Sequence, residues 1–185
     1  MQVLLTKISR NNDQLAFRQL FMTYCDRLIG FAAALVPSRE EAEEVVSDVF
    51  VKLWQQREQL AGIQHLNAYL YRAVRNTAYN YRQRSGENLQ ILEGEYIQVL
   101  LHTAAITPEE ALISKENLQR ITQAINALPP RCKLIFRLVK EDGLKYREVA
   151  DILDISINTV NTQMAAALKK LSAVIASQPH SDWFR

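Results

Sequence analysis

The sequence predicts an all-α protein: two small helical domains joined by an acidic linker, with a helix-turn-helix in the C-terminal domain. Apolar residues recur at spacings of three and four along most of the chain, and no segment alternates apolar with polar residues as half-buried strands do. Residues 85–106 contain no Lys or Arg, three Glu and two Gly, a composition typical of a linker. We therefore expect an N-terminal domain over 1–84, a linker over 85–106, a C-terminal domain over 107–178 and a tail over 179–185.

Length and charge are compatible with two small contacts to DNA. The 185 residues suffice for two helical domains with modest cores. Residues 1–84 and 116–185 each carry a small net positive charge, whereas 85–115 are net negative. This asymmetry is too weak to establish nucleic-acid binding, because a strongly basic chain is the usual footprint. The sequence contains no run of about 18 apolar residues and no secretion signal, so we expect a cytoplasmic protein.

Two helices are predicted in the first part of the chain. Large apolar side chains at spacings of three and four predict a helix over 13–36, which Pro37 interrupts. Ser38 and Glu41 then form a capping-box pattern that starts a second helix. The apolar residues of this second helix all fit one face, which leaves the opposite face to solvent. That opposite face is acidic and contains Glu40, Glu43, Glu44, Ser47 and Asp48.

A third helix of unusual composition is expected before the linker. Residues 57–66 predict a loop, and Asn67 is a good N-cap for a helix that reaches about Arg84. This helix interleaves four tyrosines with four arginines. We expect Tyr79 to be exposed and Tyr81 to be buried, because Tyr81 shares a face with apolar residues.

The C-terminal domain is expected to begin with two helices. A capping box at 107–110 opens a helix that two consecutive prolines end. The next helix covers about 130–141 and stops at Gly143, a typical left-handed cap.

Residues 143–171 carry the tightest motif, a helix-turn-helix. Helices over 146–153 and 157–175 are separated by three residues, and the small Ala150 lets them approach closely. In such motifs the second helix lies in the major groove of DNA, where short polar side chains reach base edges and a capped N-terminus faces phosphate. The candidate contacts are Ser156, Asn158, Thr159, Asn161, Thr162 and Gln163. The alternative is an ordinary helical hairpin with a solvated polar face.

No pattern in the sequence indicates catalysis. His65, His102 and His180 are isolated, and the sequence has no metal-ligand spacing, nucleophile motif or phosphate-binding glycine loop. Cys25 and Cys132 lie far apart at helical positions and are expected to be free buried thiols. We therefore expect a protein that is not an enzyme and that binds no metal, cofactor or small-molecule substrate.

Three segments together resemble extracytoplasmic-function (ECF) sigma factors, which are initiation factors of bacterial RNA polymerase. Residues 128–171 read LPP, then GL, then EVADIL-DIS-NTV, and resemble the promoter-reading C-terminal domain of that family. Residues 38–54, SREEAEEVVSDVFVKLW, are similar to its polymerase-binding helix, and 67–84 to the helix that reads and opens the minus-ten element. The resemblance implies an alternative sigma factor that binds core RNA polymerase and directs promoter-specific transcription initiation.

The resemblance also implies roles for residues of the N-terminal domain. Glu44, Ser47 and Asp48 are implied to face the clamp helices of core RNA polymerase, and 57–66 to supply a pocket for an extruded base. Ser47 takes a place often held by Gln, and Asn80 takes one often held by Asp. The implied contacts with the minus-ten strand and its phosphates are Asn76, Tyr79, Asn80, Arg82 and Arg84.

The C-terminal domain departs from the family pattern at three positions. Asp154 takes a turn position that is commonly Gly, which is tolerable because Asp enters left-handed conformations more readily than most residues. Ala165 and Ala166 stand where many relatives have basic or polar residues on the recognition helix. We therefore expect Lys169 and Lys170 to make the phosphate contacts in minus-35 recognition. With so few cations, the isolated domain is expected to bind DNA weakly.

The resemblance extends to partners. The segment INTVNTQMAAALKKL resembles the corresponding sequence of Bacteroidetes-type sigma factors, whose usual partners are membrane-bound anti-sigma proteins. An anti-sigma factor is therefore expected as a partner beside core RNA polymerase and promoter DNA.

Two rival hypotheses stay open on the sequence alone. A stand-alone helix-turn-helix regulator with an all-helical sensor domain shares residues 143–171, but it does not require the acidic helix or the Tyr/Arg helix. A sigma-like interaction protein that no longer reads DNA is favoured by the thin basic content of the recognition helix.

Overall fold

The computed structural model describes residues 1–84 and 113–176, and every regular element in these two ranges is helical, which confirms the predicted all-α class. The chain divides into two units, Met1–Ile97 and Gln98–Arg185. The boundaries predicted for the linker, the capping box at 107–110 and the tail lie outside the described residues. Within the described ranges, no helix combines the length and the apolarity that crossing a bilayer requires.

Residues 1–84 form four α-helices and a short 3₁₀ helix. In chain order these are α1 (Gln2–Asn11), α2 (Gln14–Ala32), α3 (Arg39–Gln55), the 3₁₀ helix Arg57–Gly62 and α4 (Leu66–Arg84). Helix α1 is not predicted from the sequence pattern. A ten-residue helix is marginal on its own in water, so α1 depends on packing that the local sequence pattern does not display.

Side-chain caps start α2 and α3. Asp13 Oδ1 accepts a hydrogen bond from the Ala16 N–H at 3.0 Å, and Ser38 Oγ accepts one from the Glu41 N–H at 3.1 Å. Each cap satisfies a backbone donor that the first helical turn leaves without an intrahelical partner. The predicted start of the second helix at Ser38 is therefore confirmed.

Helix α2 ends earlier than the sequence predicts. It stops at Ala32, although residues 33–36 remain buried. The Leu35 N–H bonds to the Ala32 carbonyl at 2.8 Å, an i to i−3 pattern that tightens the chain into turns. Apolar burial thus continues after the helix has ended, which is why the apolar pattern alone placed the end too late.

The core of the first unit lies between α2, α3 and α4. Leu28 of α2, Val45 of α3 and Val74 of α4 are fully buried. The rings of Phe31 and Tyr71 meet edge to face, with 5.0 Å between their centroids. Each of these helices therefore has one buried face and one face left for solvent or a partner.

Helix α1 packs on the 3₁₀ helix. Ser9 Oγ donates a hydrogen bond to the Glu58 carbonyl at 2.8 Å, and Gln2 Nε2 donates one to the Ala61 carbonyl at 2.7 Å. Most of the segment predicted as a loop over 57–66 is therefore ordered as a 3₁₀ helix beneath α1.

The predicted N-cap of the third helix is wrong. Helix α4 begins at Leu66, and the Tyr69 N–H bonds to the His65 carbonyl at 3.0 Å, so Asn67 lies inside the helix. Its Oδ1 accepts a hydrogen bond from the Tyr24 hydroxyl at 2.7 Å. A tertiary contact with α2 has replaced the local capping role that the residue type suggests.

Residues 113–176 form the helices of the second unit. These are α5 (Ile113–Asn126), α6 (Pro130–Lys140), α7 (Tyr146–Leu153) and α8 (Ile157–Ala176), with α5, α6 and α7 each packed on α8. Gly143 and Asp154 adopt left-handed φ values of 69° and 53°. The predicted left-handed conformation of Gly143 and the predicted tolerance of Asp154 in the turn are confirmed, although the C-cap of α6 is Glu141 in a right-handed conformation.

We expect Ile8→Ala to lower the free energy of unfolding by about 2–5 kcal/mol, because the Ile8 side chain is 0 % exposed and its truncation leaves a cavity. Urea denaturation followed by circular dichroism measures this change. The matched control is Val3→Ala in the same helix, where the residue is 72 % exposed and little change is expected. Equal stabilities of the two variants would contradict the packing of α1.

Candidate polymerase and nucleic-acid interfaces

The acidic face of α3 is exposed as predicted. Glu44, Ser47 and Asp48 lie at spacings of three and four and all face solvent, while the opposite side of the helix is buried from Ala42 to Leu53. An ion pair with Nε to Oε1 at 2.7 Å joins the neighbouring Arg39 and Glu43 across one turn. Burial on one side fixes the rotation of α3 about its axis, so the carboxylates on the other side point in a defined direction.

The carboxylates of this acidic face act on a tyrosine of α4. Hydrogen bonding to Glu44, followed by burial and by the negative charges of Glu44, Asp48 and Glu41, raises the pKa of Tyr81 to about 12. Tyr81 is half-buried, whereas the sequence pattern predicts it in the core.

A cleft of about 480 Å³ lies beside the acidic face, between α2 and α3. Ser47 belongs to both surfaces, and the adjacent Val51 is 52 % exposed. The aromatic residues here are predicted as core, because helical periodicity does not distinguish a buried ring from one at the wall of an open cleft. The lining residues are Gln14, Phe17, Phe21, Ser47, Phe50, Val51, Trp54 and Gln55.

The exposed side of α4 carries most of the predicted minus-ten contacts. Asn76, Tyr79, Asn80 and Arg84 are exposed and fall on one side of the helix. Tyr79 is 46 % exposed, whereas Tyr81 is half-buried. The prediction that Tyr79 is the more exposed of the two is confirmed.

Arg82 does not lie with the other predicted minus-ten residues on the exposed side of α4. Its side chain is buried, with 9 % exposure, and its Nη1 donates a hydrogen bond to the Leu35 carbonyl at 3.2 Å. It therefore satisfies a carbonyl in the turns after α2 and is not part of the exposed surface. The helical periodicity of the sequence indicates that Arg82 is buried, since it follows the buried Val74 and Ala78 at intervals of four.

The turn of the helix-turn-helix supplies the N-cap of α8. Ser156 Oγ accepts a hydrogen bond from the Thr159 N–H at 3.0 Å and lies 2.9 Å from the Thr159 hydroxyl. Val160 on the inner face of α8 is fully buried. Ser156 thus caps the helix, and this confirms the predicted cap.

The outer face of α8 presents the remaining candidates. Asn158, Asn161 and Thr162 are exposed within its first two turns, and Lys169 and Lys170 are exposed further along. Gln163 is half-buried, and its main-chain carbonyl accepts a hydrogen bond from Cys132 Sγ at 3.3 Å. The exposed side chains are the ones that can reach base edges or phosphates.

Both cysteines are free thiols, as predicted. Burial raises the pKa of the Cys132 thiol. Cys25 is only half-buried, and burial followed by the charges of Asp26 and Glu43 raises the pKa of its thiol. Across the described ranges, no cluster of three or more His, Cys, Asp or Glu residues has a geometry that could hold a metal ion.

Comparison with known proteins decides the family. The family model described as sigma-70 region 2 matches residues 20–87, and the one described as sigma-70, region 4 matches residues 118–171. Together they cover two thirds of the chain, in the family's order. The chain belongs to the sigma-70 family and is an ECF sigma factor.

The relatives of this sigma factor are similar over nearly their whole length. The ECF RNA polymerase sigma-E factor of Escherichia coli K12 is 28 % identical over 172 residues, which cover 90 % of this chain and 89 % of the relative. The sigma-E factor of Haemophilus influenzae is also 28 % identical over 172 residues, covering 90 % of each chain. Among solved structures, the sigma factor RpoE in complex with the anti-sigma factor NepR from Bartonella quintana gives a TM-score of 0.48 at 21 % identity, covering 88 % of this chain and 98 % of that one.

Membership of this family defines the function. The chain is an alternative sigma factor, a transcription initiation factor that binds core RNA polymerase and promoter DNA. The region 2 match begins within α2 and contains all of α3 and α4, and the region 4 match covers the helix-turn-helix motif over 143–171.

Ser156→Ala is expected to destabilise the start of α8 by about 1 kcal/mol, because the Thr159 N–H loses its acceptor. Amide hydrogen exchange of Thr159 in the full chain measures this opening and should accelerate. Ser172→Ala is the matched control, since the Ser172 hydroxyl bonds only a carbonyl within the same helix in the described contacts. Unchanged exchange at Thr159 would show that the cap does not hold this turn.

Proposed function

We propose that this sigma factor binds core RNA polymerase through Glu44, Ser47 and Asp48 on α3. The observation that carries the proposal is that these residues share one exposed, acidic face whose orientation is fixed by burial of the opposite face. Such a face is complementary to a basic helical surface. Complementary charge accelerates encounter and makes it sensitive to salt, which suits a subunit that competes for a shared enzyme.

The proposed minus-ten surface is the exposed side of α4, formed by Asn76, Tyr79, Asn80 and Arg84. Opening a duplex costs a few kcal/mol per unstacked base, and stacking on an aromatic ring returns about 1–3 kcal/mol per base. The exposed ring of Tyr79 supports the stacking role. Arg84 supplies positive charge for phosphate, and the two asparagines supply donors and acceptors for base edges.

Minus-35 recognition is assigned to α8. The exposed side chains of Asn158, Asn161 and Thr162 can form hydrogen bonds with base edges in the major groove. The exposed Lys169 and Lys170 can form ion pairs with phosphate. Ser156 and Thr159 hold the N-terminus of the helix, and Gln163 lies at the border of this face.

We also propose domain boundaries, a subtype, a location and an anti-sigma partner for this sigma factor. The domain boundaries are 1–84, 85–106, 107–178 and 179–185, with the first domain for polymerase and minus-ten binding and the third for minus-35 binding. The likeness of residues 157–171 to Bacteroidetes-type factors supports that subtype and a membrane-bound anti-sigma partner. Membership of the sigma-70 family supports a cytoplasmic location.

The polymerase surface is tested by Asp48→Arg. Fluorescence anisotropy with bacterial core RNA polymerase should show saturable binding by the wild-type chain and at least about tenfold weaker binding by the variant, because a charge on the acidic face is reversed. Asp26→Arg makes the same charge change at an exposed site on α2 and should bind as the wild-type chain does. A wild-type chain that binds duplex promoter DNA but not polymerase would instead support a stand-alone regulator.

The minus-ten surface is tested at Tyr79. We expect Tyr79→Ala to weaken capture of a single-stranded minus-ten oligonucleotide by the holoenzyme about 5- to 150-fold, which corresponds to the loss of one stacked base. Tyr79→Phe keeps the ring and should retain most of the affinity. Equal losses in the two variants would argue against stacking and for a role of the hydroxyl.

A further inference from the structure

The outward face of α8 carries no charge over its first three turns. Its exposed residues recur at spacings of three and four and therefore share one side of the helix. They are Ile157, Asn158, Asn161, Thr162 and Ala165. The opposite side is buried at Val160 and Met164, which fixes the direction of the outward face. Residues 157–168 include no Lys, Arg, Asp or Glu.

The hydroxyl of Thr162 is bonded to the backbone of its own helix. Its Oγ1 donates a hydrogen bond to the main-chain carbonyl of Asn158, one turn earlier, at 2.9 Å. A hydroxyl has one hydrogen to donate, so Thr162 presents to DNA its methyl group and the lone pairs of its oxygen. The side-chain donors on the outward face are therefore the amides of Asn158 and Asn161.

These groups match A·T pairs better than G·C pairs in the major groove. An asparagine amide has a donor beside an acceptor and pairs with N7 and N6 of adenine, whereas guanine presents two acceptors that fit Arg or Lys. Apolar groups contact the C5-methyl of thymine. Residues 157–168 supply neither a cation for guanine nor a carboxylate for cytosine.

We propose that α8 reads a minus-35 element made of A·T pairs, in which its two asparagines bind adenines and its apolar side chains contact thymine methyl groups. Ile157, which is 46 % exposed, and Ala165 lie about 12 Å apart along the helix axis, a distance of about three to four base-pair steps. The methyl group of Thr162 lies between them in the sequence. The inference rests on the proposed function, because it requires that α8 enters the major groove at this element.

Promoter selection tests the base composition. Holoenzyme assembled from the full chain and bacterial core RNA polymerase is used to select duplexes from a random library, and the recovered DNA is sequenced. The minus-35 element should contain about four adjacent positions that are predominantly A·T, the length that the outward face spans. Predominantly G·C pairs at these positions would overturn the inference.

Base analogues test individual contacts. Replacement of a thymine by deoxyuridine removes only the C5-methyl and should weaken holoenzyme binding about fourfold where that methyl is contacted, because one buried carbon group is lost. In Ile157→Ala, one of these replacements should have almost no further effect. Full sensitivity to every such replacement in Ile157→Ala would overturn the placement of Ile157. Asn158→Ala should weaken binding about 5- to 150-fold and relax the preference for adenine at one position.

Lys169→Ala is the matched control. Lys169 is exposed on the same helix and is proposed to bind phosphate, so this change should weaken binding to all promoters alike and leave the base preference unchanged. The selection also separates the inference from the proposed function. A holoenzyme that enriches no duplex would remove the proposed minus-35 recognition and this inference together, whereas enrichment of a G·C element would remove the inference alone.

Discussion

Burial of one face of α3 is the constraint on which the functional surfaces of the first unit depend. Val45 and Val46 are completely covered, and this packing leaves the helix no freedom to rotate about its axis. The direction of every carboxylate on the opposite face follows from it. The same packing sets α4, because one side of α4 is buried against its neighbours and its other side is exposed. The two proposed binding surfaces are therefore the outer faces of one core.

This arrangement gives the two surfaces a common support. The carboxylates of α3 raise the pKa of Tyr81, and Tyr79 is exposed two residues earlier. Arg82 joins the same end of α4 to the chain after α2 through the Leu35 carbonyl. The last turns of α4 thus combine a contact to the chain after α2 with the proposed contacts to DNA.

Local patterns predicted the features that depend on local physics. The turn at Asp154, the cap at Ser156 and the bounds of α7 and α8 agree with the structure, because sequence spacing and backbone conformation determine them. Tertiary packing decided the rest. Helix α1 is stabilised by packing on the 3₁₀ helix. Asn67 accepts a hydrogen bond from Tyr24, which is distant in sequence, and does not cap α4. Charge was the misleading signal at Arg82, where periodicity pointed to the buried face.

The second unit shows why such a factor needs both of its surfaces. Between residues 157 and 174, the charged side chains of α8 are Lys169 and Lys170 alone. The affinity of a protein for DNA rises with the number of phosphates it neutralises, so this helix by itself gains little from counterion release. A helix held at a promoter by polymerase binds at a high effective concentration instead, and weak contacts then suffice. If the proposed minus-35 surface is right, the uncharged amides of Asn158 and Asn161 contribute selectivity under these conditions, because base-edge contacts add no affinity for every other stretch of DNA.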